Sequence, residues 1–254
     1  MLPFILIATR DDDAAADAEY KSVLQLTGLE PEQLIRVRLE RGPFPDIDLS
    51  AVSGIIVGGS PFTTSDPEES KSSAQVAAEA EIARLLDAVI EQDIPFFGAC
   101  YGVGSLGRHQ GAVIDARYGE PVGAVCVTLT ADAATDPVIQ AAKLPEVFPA
   151  YVGHKEAVSQ LPEHAVLLAT GEAAPVQMFR IGGKQYATQF HPELDTAALM
   201  QRIRIYQHHG YFKPEEMDDL LDRVSATSTP EANRLLRAFV DVFTRPAERA
   251  AHTS

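Results

Sequence analysis

Cysteine and tryptophan are the residues that this sequence has least of: its 254 residues include two cysteines and no tryptophan. Two cysteines cannot build a disulfide framework, and Cys100 and Cys126 are too far apart for a Cys-x-x-Cys metal or redox pair. The adjacent His208 and His209 would point in different directions on a helix, so they are not spaced as metal ligands. We therefore expect no metal, no cofactor and a cytoplasmic location.

Basic residues and long apolar runs are scarce as well. Only 21 Lys and Arg accompany 36 Asp and Glu, which gives a formal net charge of -15. Such a surface repels phosphates, so we exclude nucleic acid and anionic membranes as partners. The apolar opening segment 2–7 is much shorter than the ~20 residues that cross a bilayer, and no basic leader region surrounds it. We interpret it as a buried first strand.

What the sequence does contain is an alternation of short apolar strands and amphipathic helices. In the first hundred residues the pattern predicts strands at 4–8, 34–39, 54–57 and 94–97, and helices at 12–26 and 73–90. Strands that are apolar on both faces favour a parallel sheet, and the βαβ order indicates an α/β fold. After residue 111 the pattern predicts strands at 122–130 and 166–169, a hairpin at 177–190, and helices at 199–208, from 214, and at 230–243. We expect 245–254 to fray.

The sharpest local signal surrounds Cys100, which lies where a predicted strand ends and helical sequence begins. Gly98, Gly102 and Gly104 accompany it, and three glycines around one residue indicate a sharp backbone bend. This pattern is typical of a nucleophile elbow, where the helix N-terminus favours the thiolate. An isolated cysteine after an apolar strand is otherwise a small core residue, and we assign that role to Cys126.

A second signal is the pair His191 and Glu193, which stand on either side of Pro192 after a predicted strand. The proline restricts its own φ and the conformation of the residue before it, so backbone geometry fixes the relative directions of the two side chains. With Cys100 they would form a base and its orienting carboxylate: the imidazole takes the thiol proton and later protonates the leaving amine. Without a nucleophile the same pair would be an ordinary surface loop.

Backbone amides are the predicted oxyanion donors. Tyr101 follows the nucleophile directly, and Gly58 and Gly59 end the strand 54–57, where they allow close approach to a ligand. We expect the amides of Tyr101 and Gly59 to donate to the oxyanion. Two glycines after a strand usually form only a turn. In an α/β sheet, however, ligands bind at the carboxyl ends of the strands. The segments that contain Gly59, Cys100 and His191 all lie at such ends.

The segments 98–102 (Gly-Ala-Cys-Tyr-Gly) and 189–193 (Gln-Phe-His-Pro-Glu) resemble the nucleophile and His-Pro-Glu motifs of class I glutamine amidotransferases. The resemblance is greatest to the amidotransferase part of GMP synthase and its stand-alone homologues. The segments 151–156 and 176–179 also fall in the family's order, so the similarity extends over most of 1–195. It implies a flavodoxin-like three-layer α/β/α fold with a mostly parallel central sheet.

The resemblance also implies an activity, in which Cys100, His191 and Glu193 form the catalytic triad. We expect an amidotransferase-like catalytic domain at 1–195, with a C-terminal helical extension at 196–254 packed on the same domain. The implied reaction forms a γ-glutamyl thioester on the cysteine, releases ammonia and hydrolyses the thioester with water. No phosphate-binding Gly-x-x-x-x-Gly-Lys-Ser/Thr loop is present, so the acceptor of ammonia is expected on a separate synthase chain.

Two positions depart from the family pattern. The nucleophile motif usually continues Gly-x-Gln, with the glutamine helping to hold the substrate, whereas this chain has Gly104. Gly153 stands where the GMP synthase type tends to have serine, which removes a hydroxyl and keeps an amide. His154 either lines the pocket or is a loop histidine with satisfied hydrogen bonds. We assign Gly104, Gly153 and His154 to the substrate-binding set.

Three functions follow from these observations. The first is a glutaminase that supplies ammonia to a synthase. The second is a γ-glutamyl hydrolase or peptidase that acts on another γ-glutamyl amide, which Gly104 favours. The third is a non-catalytic homologue that binds a ligand or a partner, and the complete Cys-His-Glu set argues against it.

Overall fold

The computed structural model describes residues 1–247; the segment 248–254, part of the predicted fraying end, lies outside the described residues. Its strands are β1 Phe4–Ala8, β2 Leu34–Arg38, β3 Gly54–Val57, β4 Phe96–Ala99, β5 Val113–Asp115, β6 Glu120–Leu129, β7 Val147–His154, β8 Ala157–Gln160, β9 Ala165–Gly171, β10 Met178–Ile181 and β11 Gln185–Thr188. Its helices are α1 Asp13–Thr27, α2 Ser73–Glu91, α3 Tyr101–His109, α4 Pro137–Ala142, α5 Thr196–Ile205, α6 Met217–Ser225 and α7 Pro230–Phe243.

Nine strands form the central sheet, in the order β2-β1-β3-β4-β11-β10-β9-β6-β7. The strands from β2 to β11 pair in parallel, and those from β11 to β7 pair antiparallel. A separate two-stranded sheet joins β5 to β8. In the parallel part, β4 lies between β3 and β11, so the residues that follow these three strands meet at one edge of the sheet.

Helices cover both faces of the sheet, which gives the three-layer α/β/α architecture that we expected. Alternate residues of β1 point to opposite faces: Phe4 and Leu6 pack in one core cluster with α1, α4 and α7, and Ile5 and Ile7 pack in another with α2. Asp12 caps α1 through the amide of Ala15, with an oxygen to nitrogen distance of 2.8 Å.

The predicted strands and helices mostly agree with the observed ones, but the antiparallel strand β7 was not predicted. It contains Pro149, which cannot donate a ladder hydrogen bond and therefore obscures a strand in the sequence. The structure tolerates this proline because β7 is an edge strand, bonded only to β6. The short β5, β8 and α4 were also missed.

The assignment of Cys126 to the core is wrong. Its thiol is exposed, while the neighbouring Val127 is fully buried. The cause is the alternation of β6, which has one face against the core and one toward solvent, so an apolar run in the sequence does not mean burial on both sides.

Of the helices within residues 1–247, none combines the length and the apolar character needed to cross a membrane.

Candidate active site

Cys100 lies directly between β4 and α3, in a backbone conformation that residues other than glycine rarely adopt. Its φ is 51° and its ψ is -86°, although it is not glycine. Its amide donates to the carbonyl of Thr188 on β11 over 2.7 Å, which continues the parallel ladder one residue beyond the strand. A residue in this region costs about 1–3 kcal/mol, so the surrounding structure must hold it there.

Glycines at two positions allow that bend. A Cβ built on Gly98 would lie 2.7 Å from the Cα of Gly102, because the first turn of α3 crosses the end of β4 in direct backbone contact. A side chain at Gly98 would separate the helix from the strand. The sequence signal of closely spaced glycines therefore corresponds to backbone packing beneath the thiol.

His191 and Glu193 form a buried pair beside this thiol. The Nδ1 of His191 lies 2.7 Å from Oε1 of Glu193, and the side chains are 9% and 1% exposed. The remaining ring nitrogen, Nε2, is not used by Glu193, and His191 and Cys100 line the same cavity. The structure thus brings together all three residues predicted as a triad, with the imidazole between thiol and carboxylate.

Charges in this group shift two pKa values in opposite directions. Burial lowers the pKa of His191, but the negative charges of Glu193 and Cys100 outweigh it and raise the value from 6.5 to about 9. Burial raises the pKa of Glu193, but His191 and Arg202 outweigh it and lower the value from 4.5 to about 2. Glu193 is therefore charged throughout the neutral range, and the imidazolium is stabilised.

A network of buried charges extends from Glu193 toward the N-terminus. Arg202 on α5 donates through Nη1 to Oε1 of Glu193 at 3.1 Å, and its Nη2 lies 3.5 Å from Oε1 of Glu19. Arg10 donates through Nε to the same oxygen of Glu19 at 2.9 Å and through Nη1 to the hydroxyl of Tyr206 at 3.0 Å. Each buried carboxylate thus has a cationic partner, as burial of charge requires.

Three other elements form hydrogen bonds to the backbone of the loop that carries this pair. The carbonyl of Tyr151 on β7 accepts from the amide of His191 at 2.8 Å. Asn233 on α7 donates to the carbonyls on either side of Glu193, at 2.9 Å and 2.8 Å. Ser22 on α1 donates to the carbonyl of Glu193 itself.

The amides predicted to bind an oxyanion are free donors. Within residues 1–247, neither the amide of Gly59 nor that of Tyr101 donates to a protein acceptor. A Cβ on Gly59 would lie 2.9 Å from Cε1 of His191, so this residue borders the imidazole directly. Gly58 does not line the cavities at Cys100: its Cβ would lie 2.6 Å from the carboxyl group of Glu19, which makes it a packing position in the charge network.

Cys100 opens onto two cavities. One, of about 50 Å³, lies on the side of His191 and Arg202, and the other, of about 30 Å³, lies on the side of Tyr101 and Glu156. Four residues line both: Ser60, Cys100, Gly153 and Tyr211. The thiol of Cys100 therefore borders space on both of its sides.

Gly104, predicted to bind substrate, lines neither cavity at Cys100, but it faces the carboxylate of Glu156, which borders the smaller one. A Cβ on Gly104 would lie 2.6 Å from Oγ1 of Thr64 and 3.0 Å from Oε1 of Glu156. Glu156 accepts from the amide and hydroxyl of Thr64, both at 2.8 Å, and from the amide of Ser65 at 2.7 Å. Thr64 and Glu156 thus occupy the space into which a side chain at position 104 would extend.

Both ring nitrogens of His154 have partners inside the protein. Nδ1 lies 2.8 Å from the carbonyl of Glu156, and Nε2 lies 2.9 Å from Oε2 of Glu120. Gln177 donates to the same oxygen of Glu120 at 2.7 Å. His154 borders the smaller cavity with a side chain that is 2% exposed, so it supports the wall of that cavity.

Residues of α5 and of the turn after it complete the site, and the sequence did not predict them. Arg202, Tyr206, Tyr211 and Phe212 line the larger cavity. The pKa of Tyr211 is raised to about 12, chiefly by burial and then by the charge of Cys100. No short motif carries these residues, because they reach the thiol only through the packing of the helices.

The chain belongs to the class I glutamine amidotransferase family: the model of that family, "Glutamine amidotransferase class-I", matches residues 27–211, well over half of the sequence. Two solved structures have the same fold. A glutamine amidotransferase of Thermotoga maritima has a TM-score of 0.75 and 19% identity, covering 96% of this chain and 98% of that one. A glutamine amidotransferase of Methylobacillus flagellatus has a TM-score of 0.71 and 15% identity, covering 99% of each.

Two kinds of relative are similar in sequence. The GMP synthase (glutamine-hydrolyzing) of Corynebacterium diphtheriae is 34% identical over 155 residues, which are 58% of this chain and 28% of that protein. Gamma-glutamyl peptidase 3 of Arabidopsis thaliana is 28% identical over 179 residues, 69% of each chain. The chain spans 22% of the length of another relative, the GMP synthase of Thermosipho africanus, so the matched part of these synthases is about a quarter of their length.

Proposed function

We propose that this protein hydrolyses γ-glutamyl amides through a thioester on Cys100, and that it releases ammonia when the amide is glutamine. The observation that carries the proposal is the conformation of Cys100, held at a φ of 51° beside the His191–Glu193 pair. A strained backbone at a thiol that shares a cavity with a buried imidazole is the arrangement of an activated nucleophile.

In the proposed reaction, Sγ of Cys100 attacks the amide carbon while Nε2 of His191 holds the thiol proton. The amides of Tyr101 and Gly59 stabilise the oxyanion. His191 then gives its proton to the leaving amine as the carbon–nitrogen bond breaks. A water molecule, deprotonated by the same imidazole, hydrolyses the thioester and returns the thiol. Glu193 keeps Nδ1 protonated throughout.

The charged residues at the smaller cavity are the reason why we expect the substrate to carry a γ-glutamyl group. This cavity is bordered by the carboxylate of Glu156 and by Lys155, whose Nζ lies 4.9 Å from the ring centre of Tyr211. No carboxylate among residues 1–247 lies within ion-pair distance of that ammonium. One acidic and one basic side chain are complementary to the α-ammonium and α-carboxylate of an amino acid, while the thiol meets its side-chain amide.

The test is hydrolysis of glutamine and of a panel of γ-glutamyl amides, with release of ammonia or amine as the readout. Cys100→Ala is expected to abolish turnover, a loss of at least 1,000-fold. Cys126→Ala is the matched control, since this thiol is exposed and distant in sequence, and it should retain wild-type rates. Turnover that survives Cys100→Ala, or no turnover of any amide by the wild-type protein, would refute the proposal.

A second candidate is transfer of the released ammonia to a separate synthase chain. The similarity to GMP synthases (glutamine-hydrolyzing) favours it, because the matched part is a fraction of those proteins. A glutaminase rate that rises at least tenfold on addition of a synthase-containing protein fraction, and that still depends on Cys100, would support it. A rate that no added fraction changes would count against it.

A further inference from the structure

We infer that the larger cavity binds the leaving half of the substrate, and that this half is an apolar amino acid joined through its α-amine. The preferred substrates would then be γ-glutamyl peptides. This inference rests on the proposed function, and it names the substrate class for the same thiol.

The position of the proton donor sets the direction in which the amine leaves. The acid that protonates the leaving amine is His191, which borders the larger cavity and not the smaller one. Tyr101, whose amide is the proposed oxyanion donor, borders the smaller cavity. The amine must therefore leave toward the larger cavity, since a proton is transferred only within hydrogen-bond reach.

The larger cavity is too large for ammonia alone. Ammonia is a single heavy atom, whereas this cavity has a volume of about 50 Å³, several times the ~10–15 Å³ that one water molecule needs. Its wall is largely apolar; the side chains that form that part are Val122, Val152, Leu194, Leu199, Ile203 and Phe212. An apolar concave wall gains free energy by removing an apolar group from water, at about 25 cal/mol per Å². Ammonia has no apolar group that could be buried against this wall.

A buried positive charge also borders the larger cavity. The side chain of Arg10 is 4% exposed and borders the same cavity. Its Nε and Nη1 are bonded to Glu19 and Tyr206, but Nη2 donates to no acceptor within residues 1–247. A free donor on a buried guanidinium fits a carboxylate, and a leaving amine that carries both an apolar group and a carboxylate is an amino acid.

The experiment compares three substrates that share the γ-glutamyl half. They are glutamine, γ-glutamyl-phenylalanine, and γ-glutamyl phenethylamide, which lacks the carboxylate. We expect kcat/KM for γ-glutamyl-phenylalanine to exceed that for glutamine at least 20-fold and that for the phenethylamide at least fivefold. A kcat/KM for glutamine equal to or above both others would overturn the inference while leaving Cys100-dependent hydrolysis intact. Loss of all turnover would instead be the failure of the proposed function.

A variant separates cavity recognition from catalysis. Phe212→Ala should lower kcat/KM for γ-glutamyl-phenylalanine at least tenfold more than it lowers kcat/KM for glutamine. Phe44→Ala is the matched control, because Phe44 is also partly buried and lines neither cavity. It should leave the ratio between the two substrates unchanged. Equal losses on both substrates in Phe212→Ala would contradict the assignment of the cavity.

Discussion

At the scale of single residues, Glu193 is the group on which the proposed chemistry depends most. One of its oxygens, Oε1, accepts both from His191 and from Arg202, and no partner reaches Oε2 within the described chain. The carboxylate therefore holds one tautomer of the imidazole in place, and its charge keeps the imidazolium stable in a buried position.

Glu193→Gln tests this role through pH. The wild-type kcat/KM should fall as pH rises through about 9, the pKa of His191, because the imidazolium that protonates the leaving amine is then lost. Removing the negative charge should move this alkaline limb toward pH 6.5 and lower kcat about 100-fold or more. The measurement is a pH–rate profile of both proteins. An alkaline limb that stays in place would show that Glu193 does not set the pKa.

The same shifts fix the sign of the effect on stability. The pKa of His191 is higher in the folded chain than its ordinary 6.5, so its proton stabilises the fold fully below pH 6.5, and this is lost as pH rises through about 9. The pKa of Glu193 is depressed, so its charge stabilises the fold above pH 4.5, and this is lost as pH falls through about 2. The two groups titrate as a pair, and urea unfolding would report their joint effect.

At the scale of elements, α5 connects the loop of His191 and Glu193 to the helix α1. It carries Arg202, which contacts both Glu193 and Glu19, and it leads to the turn that holds Tyr211 over Cys100. The helix thus contributes to the site although no residue of it belongs to a recognisable motif.

Arg202→Met tests this contribution. Without the guanidinium, two buried carboxylates lose a cationic partner, so we expect kcat to fall at least tenfold and unfolding free energy to drop by about 3 kcal/mol. Arg204→Met is the matched control, since Arg204 is exposed on the same helix and its side chain donates, among residues 1–247, only to the carbonyl of Met200. Activity assays and urea denaturation of both variants give the comparison. Similar effects at the two positions would refute the role of the buried charge.

At the scale of the whole molecule, the C-terminal helix α7 packs against the first strands to complete one face of the core. Phe239 is fully buried, and its ring centre lies 5.4 Å from that of Phe97 and 6.1 Å from that of Phe4. The same helix carries Asn233, which fixes the loop of Glu193. Core packing and site geometry are therefore linked through one element.

Phe239→Ala should lower the unfolding free energy by about 3–5 kcal/mol, because it removes an aromatic side chain from a packed interior. Val242→Ala on the same helix is the control: Val242 is 37% exposed, and its loss should cost less than about 0.5 kcal/mol. Urea denaturation monitored by circular dichroism would measure both. A cost for Phe239→Ala as small as that of the control would show that α7 is not part of the cooperative core.

By itself, the sequence determined the alternation of strands and helices and the three segments that meet at Cys100. Strand and helix periodicity is local, and so are the glycines that permit the bend before α3. It failed at β7, because the edge position that tolerates Pro149 is a property of the sheet. It failed at Cys126, because the exposed face of β6 depends on what packs against the other face.

Only the tertiary structure decided how the site is completed. The partners of Arg202, the turn that holds Tyr211 near the thiol, and the two cavities on either side of Cys100 all join residues far apart in sequence. A buried charge is stable only next to a group of opposite charge, and a cavity forms only between packed elements. Both depend on residues far apart in sequence, so the local sequence pattern does not predict them. The sequence predicts which atoms would react, and the packing of α5 determines the space left for the molecule that reacts with them.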